Sequence, residues 1–570
     1  MSATHTPLNA VQLEIIRNAL VAAAEEMGIT IWRTSRSSVV RDLLDYSTCM
    51  FDAGGKCVAQ ATCIPQHLNS ITSCLDDILA HHFPIAEWQP GDIIITNDPY
   101  AGGQHLNDIL TFKPVFVEDR LVGIAGVIVH HLDVGGGAPG SYYAGATEIF
   151  HEGFRIPPMK LDVAGRRNAE VIQLLLRNSR EPANVGGDFA SQLAALDIGL
   201  KGLERIARRY GPDVLAAACH GIRAQSEAAL RAKIRAIPDG VYAFEDYVDD
   251  DGIDREQKVR IAVRMTVRGD EIEIDLSGSS PQVQGPINCT RNMAASGVFC
   301  GILMSIGNDI PANAGCYEPV RIVAPDGLCV TCLSPAPVAN RMAIGHRIVN
   351  TVMGAFAQAL PGQIPAAYYG VSYAFAANLI DADGRRRVYF DLTCGGWGGH
   401  PEEDGANGFS CGLHNIANAP IETLESTLPV TFERYSLAPD TGGAGRMRGG
   451  CGLVRAYRID AEVGLISCNL DRFKAAPYGL DGGKSAALSH AELVRAATGK
   501  VESLPSKIAG LKAHKGDVFR LTTTGGGGYG NPAERDPEAI RTDIENGYVT
   551  AEAAKRDYGY TGASPLLPKK

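Results

Sequence analysis

Residues 108–131, DILTFKPVFVEDRLVGIAGVIVHH, decide how the rest of the chain is read. Two apolar runs, Ile109 to Val117 and Leu121 to His130, flank the polar triplet Glu118-Asp119-Arg120. Apolar runs of that length around a short polar turn predict an antiparallel hairpin. Centred on Asp119, it sets Asp108 opposite His130 at its open end, where facing Cβ atoms stand about 5 Å apart. His105, in the glycine loop GGQHLND, can fold back to the same end. Pro114 suits the first strand best if that strand is an edge. A slip of one residue would send His130 to the other face and offer His131 instead.

Two imidazoles and a carboxylate converging from strand ends suit a divalent metal, with positions left for water or substrate. Structural histidines satisfied by hydrogen bonds have the same spacing, so spacing alone leaves both readings open. Asp45, ahead of an earlier hairpin, and His67, in CIPQHLNS, are further candidates. Asp133 and Glu148, in loops after the histidines, could orient ligating imidazoles. Each of these alone also reads as an ordinary turn cap or solvated loop acid.

Outward from the hairpin, the pattern is mixed. An amphipathic helix is expected from about Pro7 to Arg33, with Val11, Ile15, Ala19 and Leu20 near helical spacing. DYSTCMFDAGGKCVAQA reads as a second hairpin around Asp52-Ala53-Gly54-Gly55. Residues 165–235 look helical, residues 238–276 look stranded, and from GRRRVYFDL onward the chain is strand and glycine turn. The expected class is α+β, with β-rich N-terminal hairpins, a helical middle segment and a β-rich, Gly-rich C-terminal third. The expected regions are 1–165 around the metal site, 166–236 helical, 237–385 mixed and 386–570 Gly-rich. The tail SPLLPKK is the one tract expected to lack order.

Composition bounds the function. A formal charge of −11 with no long basic run argues against nucleic acid. No apolar run nears the roughly 18 residues of a membrane span, and the N-terminus lacks a secretory pattern. A cytoplasmic protein is expected. The 14 cysteines are scattered as in a reduced chain. The one C-x-x-C, Cys329 and Cys332 in GLCVTCLS, lacks a second ligand pair and reads as buried thiols on an apolar strand. Glycine, at 64 of 570 residues, clusters in GGWGGHPEEDG, TGGAGRMRGGCG and TTGGGGYGNP. None of the three has phosphate-loop spacing, so close backbone packing is expected there. No G-x-S-x-G elbow occurs, and no cysteine stands out as a nucleophile.

NDPYAGGQHLNDI, HHLDVGG, PGSYYAGATEIFHEGFRIPPMKL, GPINCTRNMAASGVF, RYSLAPDTGGAGRMRGGCGLVR and TTGGGGYGNPAERDP closely resemble the hydantoinase B family. The resemblance runs from about residue 7 to about 540. That family includes the N-methylhydantoinase B and caprolactamase B chains, the C-terminal part of 5-oxoprolinases, and components of acetone and acetophenone carboxylases. It implies a partner, a hydantoinase A-like ATPase subunit that holds ATP and Mg, in a hetero-oligomer such as a dimer of heterodimers or larger. It also implies a manganese or zinc ion on His105, Asp108 and His130, with Asp45 approaching it. The loop GHPEEDG after GGWG departs from relatives that often carry arginines there.

The favoured role is ATP-dependent hydrolysis of a small cyclic amide (a hydantoin, lactam or 5-oxoproline), with His67, His131 or Glu148 moving the proton. A ketone carboxylase component and a non-catalytic scaffold are the alternatives.

Overall fold

The computed structural model describes residues 8–562. The expected helix start at Pro7 and the tail SPLLPKK therefore lie outside the described residues. The first helix runs Ala10–Thr34. Its buried face is Ile16, Leu20, Ala23, Ala24, Met27 and Ile31, while Val11 and Ile15 are exposed. Both sets have helical spacing, and packing buries the one that runs through Ile16, Ala23 and Met27. Met27 and Ala23 meet the long helix Pro182–Tyr210 at Gly199 and Gly202, where a Cβ would lie 2.5 Å from the Met27 sulfur and 2.8 Å from the Ala23 methyl.

The N-terminal sheet has seven strands: β1 Tyr46–Phe51, β2 Cys57–Gln60, β3 Ile93–Thr96, β4 Asp108–Val117, β5 Arg120–His130, β6 Met159–Val163 and β7 Arg166–Arg167. Their order is β2-β1-β5-β4-β3-β6-β7. The central strands β1, β3, β4 and β5 alternate between two apolar layers. On β5, Ala125, Val127 and Val129 face the layer containing the first helix and the long helix. Ile124 and Ile128 face the layer of the Pro65–His81 helix. The same parity puts Leu110 and Phe112 of β4, and Cys49 and Phe51 of β1, on the latter side.

The β4–β5 hairpin pairs Asp108 with His130. Its turn has two residues, Glu118 and Asp119, both at positive φ (51° and 62°), as a tight hairpin with matching twist requires. That turn alone would set Asp108 opposite Val129. Between Val115↔Gly123 and Phe116↔Leu121, however, Val122 is an extra residue, and this bulge moves the register by one. Pro114 lies on an interior strand rather than at an edge. Its donor is not missed because β3 stops pairing with β4 at Phe112.

Beyond the sheet, helices Ala169–Asn178, Pro182–Tyr210 and Pro212–Ile234 fill the expected helical segment. Three further sheets, of four, four and five strands, build the rest. The C-terminal third also carries short helices, such as Pro537–Glu545, that its glycine content hid. The three glycine clusters interlock there. A Cβ on Gly526 would lie 1.9 Å from the Trp397 carbonyl, and one on Gly449 would lie 1.9 Å from the Gly526 carbonyl. Cys329 and Cys332 are buried free thiols outside any strand; the Cys289 amide donates to the Cys329 carbonyl (2.7 Å) and the Cys332 amide to the Cys289 carbonyl (2.9 Å).

Candidate metal centre

Sheet parity gathers the site. Asp45 precedes β1, Asp108 opens β4 and His130 closes β5, all on the face covered by the helix that carries His67. The His130 amide donates to the Asp45 carbonyl (3.1 Å), so the two strand ends are side by side. His105 comes back through a turn in which the Asp108 amide donates to its carbonyl (3.1 Å). His105 Nε2 lies 2.9 Å from Asp108 Oδ1, and His130 Nδ1 lies 3.4 Å from the same oxygen. Asp45 Oδ2 is 3.6 Å from His130 Nδ1. His67 Nε2 is 3.6 Å from both Asp45 Oδ1 and Asp108 Oδ2.

These distances fit an ion. Bonds of about 2.1 Å from one cation set neighbouring donor atoms about 3.0–3.4 Å apart. Donor atoms of His105, Asp108 and His130 all lie within 4.8 Å of one another. Asp45 Oδ1, both nitrogens of His105, Asp108 Oδ1 and His130 Nε2 are buried without a hydrogen-bond partner. Leaving buried polar atoms unmatched costs about 1–3 kcal/mol each, so several together mark a place for a ligand. Burial, then the nearby Arg341 charge, pulls the His105 pKa down to about 3, so its imidazole is neutral and free to ligate. Burial pushes the Asp108 carboxyl up, but the neighbouring His105 and the Arg341 guanidinium outweigh it and hold the group well below its usual range.

The family model described as Hydantoinase B/oxoprolinase matches residues 9–532. This chain belongs to that family. The B component of a D-/L-hydantoinase, so named in Pseudomonas sp. strain NS671, is 32% identical, over 98% of this chain and 97% of that one. The beta chain of the caprolactamase of Pseudomonas jessenii is also 32% identical, over 96% and 95%. The crystal structure of the ATP-dependent caprolactamase from Pseudomonas jessenii superposes with a TM-score of 0.91 at 30% identity, covering 98% of each chain.

Within this hydantoinase B fold the other expected residues go elsewhere. His131, one position past β5, turns to the opposite layer. There its Nε2 lies 3.1 Å from Gln192 Oε1 and its ring packs on Phe189. Asp133 caps a loop, accepting from the Gly135, Gly140 and Arg180 amides and from the Arg180 guanidinium. Glu148 is exposed.

The site also uses residues without a sequence signal. Arg341, at the start of the Met342–Ala359 helix, donates to Asp108 Oδ2 at 2.9 Å. Phe390 stacks on His130 (centroids 5.5 Å apart, planes at 27°), and Tyr142 meets His105 edge-on. Strand parity brings Asp108 and His130 to one face, but nothing local marks a partner 233 residues away.

Proposed function

We propose that this chain is the hydrolytic subunit of an ATP-dependent cyclic-amide hydrolase, paired with a hydantoinase A-like ATPase subunit. The observation that carries the reading is the buried set Asp45, His67, His105, Asp108 and His130, with five unpartnered donor atoms, in a chain of this family. The names of its relatives, components of a hydantoinase and of a caprolactamase, support the substrate class. The partner transfers the γ-phosphoryl group of ATP to the amide oxygen, giving an activated imidate. Water then adds to that carbon, and the ring C–N bond and phosphate are released.

His105, Asp108 and His130, joined by Asp45, would hold a manganese or zinc ion. Such an ion polarises the substrate and lowers the pKa of water toward neutrality. Arg341 fixes one oxygen of Asp108 and leaves the other facing the histidines. His67 stands between the two carboxylates, and its Nδ1 lies 3.2 Å from the Ser47 hydroxyl. It is thus placed to hold or pass a proton at Nε2. Phe390 and Tyr142 wall the imidazoles on their ring faces and edges.

The test is reconstitution with the ATPase subunit and a screen of hydantoins, lactams and 5-oxoproline for coupled ATP consumption and ring opening. Ring opening by the wild type, lost in His105→Ala and Asp108→Asn, is the expected result. Full turnover by those variants would remove the chemistry from this chain.

A further inference from the structure

A second cluster lies one helix turn beyond Arg341. His346 sits on the Met342–Ala359 helix, and Cys411 and His414 sit on one turn of a loop, closed by the His414 amide donating to the Cys411 carbonyl (2.9 Å). All three are buried, and their ligand atoms lie within 4.8 Å of one another. Cys411 Sγ is 3.5 Å from His346 Nε2 and 3.8 Å from His414 Nδ1. Bonds of about 2.3 Å to sulfur and about 2.0 Å to nitrogen at a tetrahedral angle put S and N about 3.5 Å apart.

The far nitrogens are already engaged. His346 Nδ1 lies 3.1 Å from the Tyr368 hydroxyl, and His414 Nε2 lies 2.8 Å from Ser372 Oγ. These hydroxyl partners fix the two rings, as outer groups do around ligating histidines, and Cys411 Sγ lies 3.6 Å from His346 Nδ1 as well as 3.5 Å from Nε2. Ser372 Oγ also stands 3.3 Å from His346 Nε2, a hydrogen bond that this nitrogen would give up on taking an ion.

We infer that His346, Cys411 and His414 form a second cation site, selective for a thiophilic ion of the zinc class. The inference goes beyond the proposed hydrolase and does not depend on it. A thiolate with two imidazoles prefers soft or borderline ions, whereas the carboxylate-rich first site suits manganese equally. Uptake of the ion releases the Cys411 proton to solvent, because the thiolate is the ligand. Without the ion, burial pushes the thiol pKa well up and the sulfur keeps its proton. Burial also lowers His414 to about 3 and His346 well below its usual value, so both imidazoles are neutral. The neighbouring Arg341 and Arg347 are paired to Asp108 and Asp471, at 2.9 Å each, which softens their repulsion of a cation.

Cobalt(II) is the probe. The full chain is stripped with chelator and titrated, following bound cobalt per chain and the sulfur-to-cobalt charge-transfer absorption. Two equivalents and that absorption are expected in the wild type. His105→Ala should keep one equivalent and the absorption, whereas Cys411→Ser should keep one equivalent and lose it. Cys411→Ala repeats the test should the serine variant fold poorly. A wild type lacking the absorption, or the absorption surviving in both Cys411 variants, overturns the inference. Loss of cobalt only in His105→Ala would sink this site while leaving the first one standing.

Discussion

Two regions of the molecule bury charge equally deeply and treat it in opposite ways. In the C-terminal body, Arg472 grips Asp246 with both terminal nitrogens (3.2 and 3.0 Å), and its Nε donates to the Tyr369 carbonyl (3.1 Å). Beside it, Arg347 donates to Asp471 (2.9 Å) and to the Tyr247 carbonyl (2.9 Å). At the open end of the hairpin, by contrast, five donor atoms on four residues have no hydrogen-bond partner among the described residues. The paired arginines fix structure, whereas the unmatched oxygens and nitrogens at the same depth are open to meeting an ion.

The sharpest way to break the comparison is to remove a hairpin group. Asp108→Asn or His105→Ala should abolish ring opening in the reconstituted complex, with cation content at that site falling to zero by elemental analysis. The fold should survive in His105→Ala, because both ring nitrogens of His105 lack a hydrogen bond within the described residues, and Asp108→Asn keeps an oxygen for the Arg341 guanidinium. Breaking the matched network does the reverse. Asp246→Ala strands Arg472 and should cost about 3–5 kcal/mol in urea unfolding, while cation retained per folded chain at the hairpin site stays constant. Arg341 belongs to both patterns, since it is an ion-pair partner that orients a ligand. Arg341→Met should weaken cation affinity about 10–100-fold, measured by calorimetric titration, with Asp108 still present to ligate.

The contrast also separates what is legible in the sequence from what is not. Apolar runs, turn residues and strand parity are local, so the pairing of Asp108 with His130 is readable. The register nevertheless depends on the Val122 bulge, which no spacing rule marks, and the count from Asp119 arrives at the same pairing as though the strands were regular. His131 shows the limit of adjacency: one residue further along, the side chain enters another layer. The first helix offers two apolar stripes, and distant partners, among them the glycines of a helix about 170 residues later, choose between them. Arg341, Phe390 and the His346–Cys411–His414 cluster come together only through tertiary folding.

A third treatment of buried polarity appears behind the site. Glu152 is 1% exposed, its Oε1 accepts from the Ala339 amide at 2.7 Å, and its Oε2 has no partner. It has neither a salt bridge nor a place in the ligand cluster, so it resolves its burial by holding a proton. Desolvation raises its pKa to about 8, with the Ala339 and Val338 amides and the Arg341 charge opposing. A carboxyl whose folded pKa lies above its ordinary 4.5 stabilises the fold most below that value. The contribution fades as pH climbs and is gone once pH passes through about 8. The Glu152 share of the unfolding free energy from urea titrations should therefore fall between about pH 5 and 8, by up to about 1.4 kcal/mol per pH unit, against the rise that the lowered His105 and His414 give below about pH 6.5. Glu152→Gln keeps the acceptor for Ala339 and cannot ionise, so it should flatten that slope. An unchanged slope would mean that Glu152 already shares its charge with Arg341, and would place it with the matched network instead.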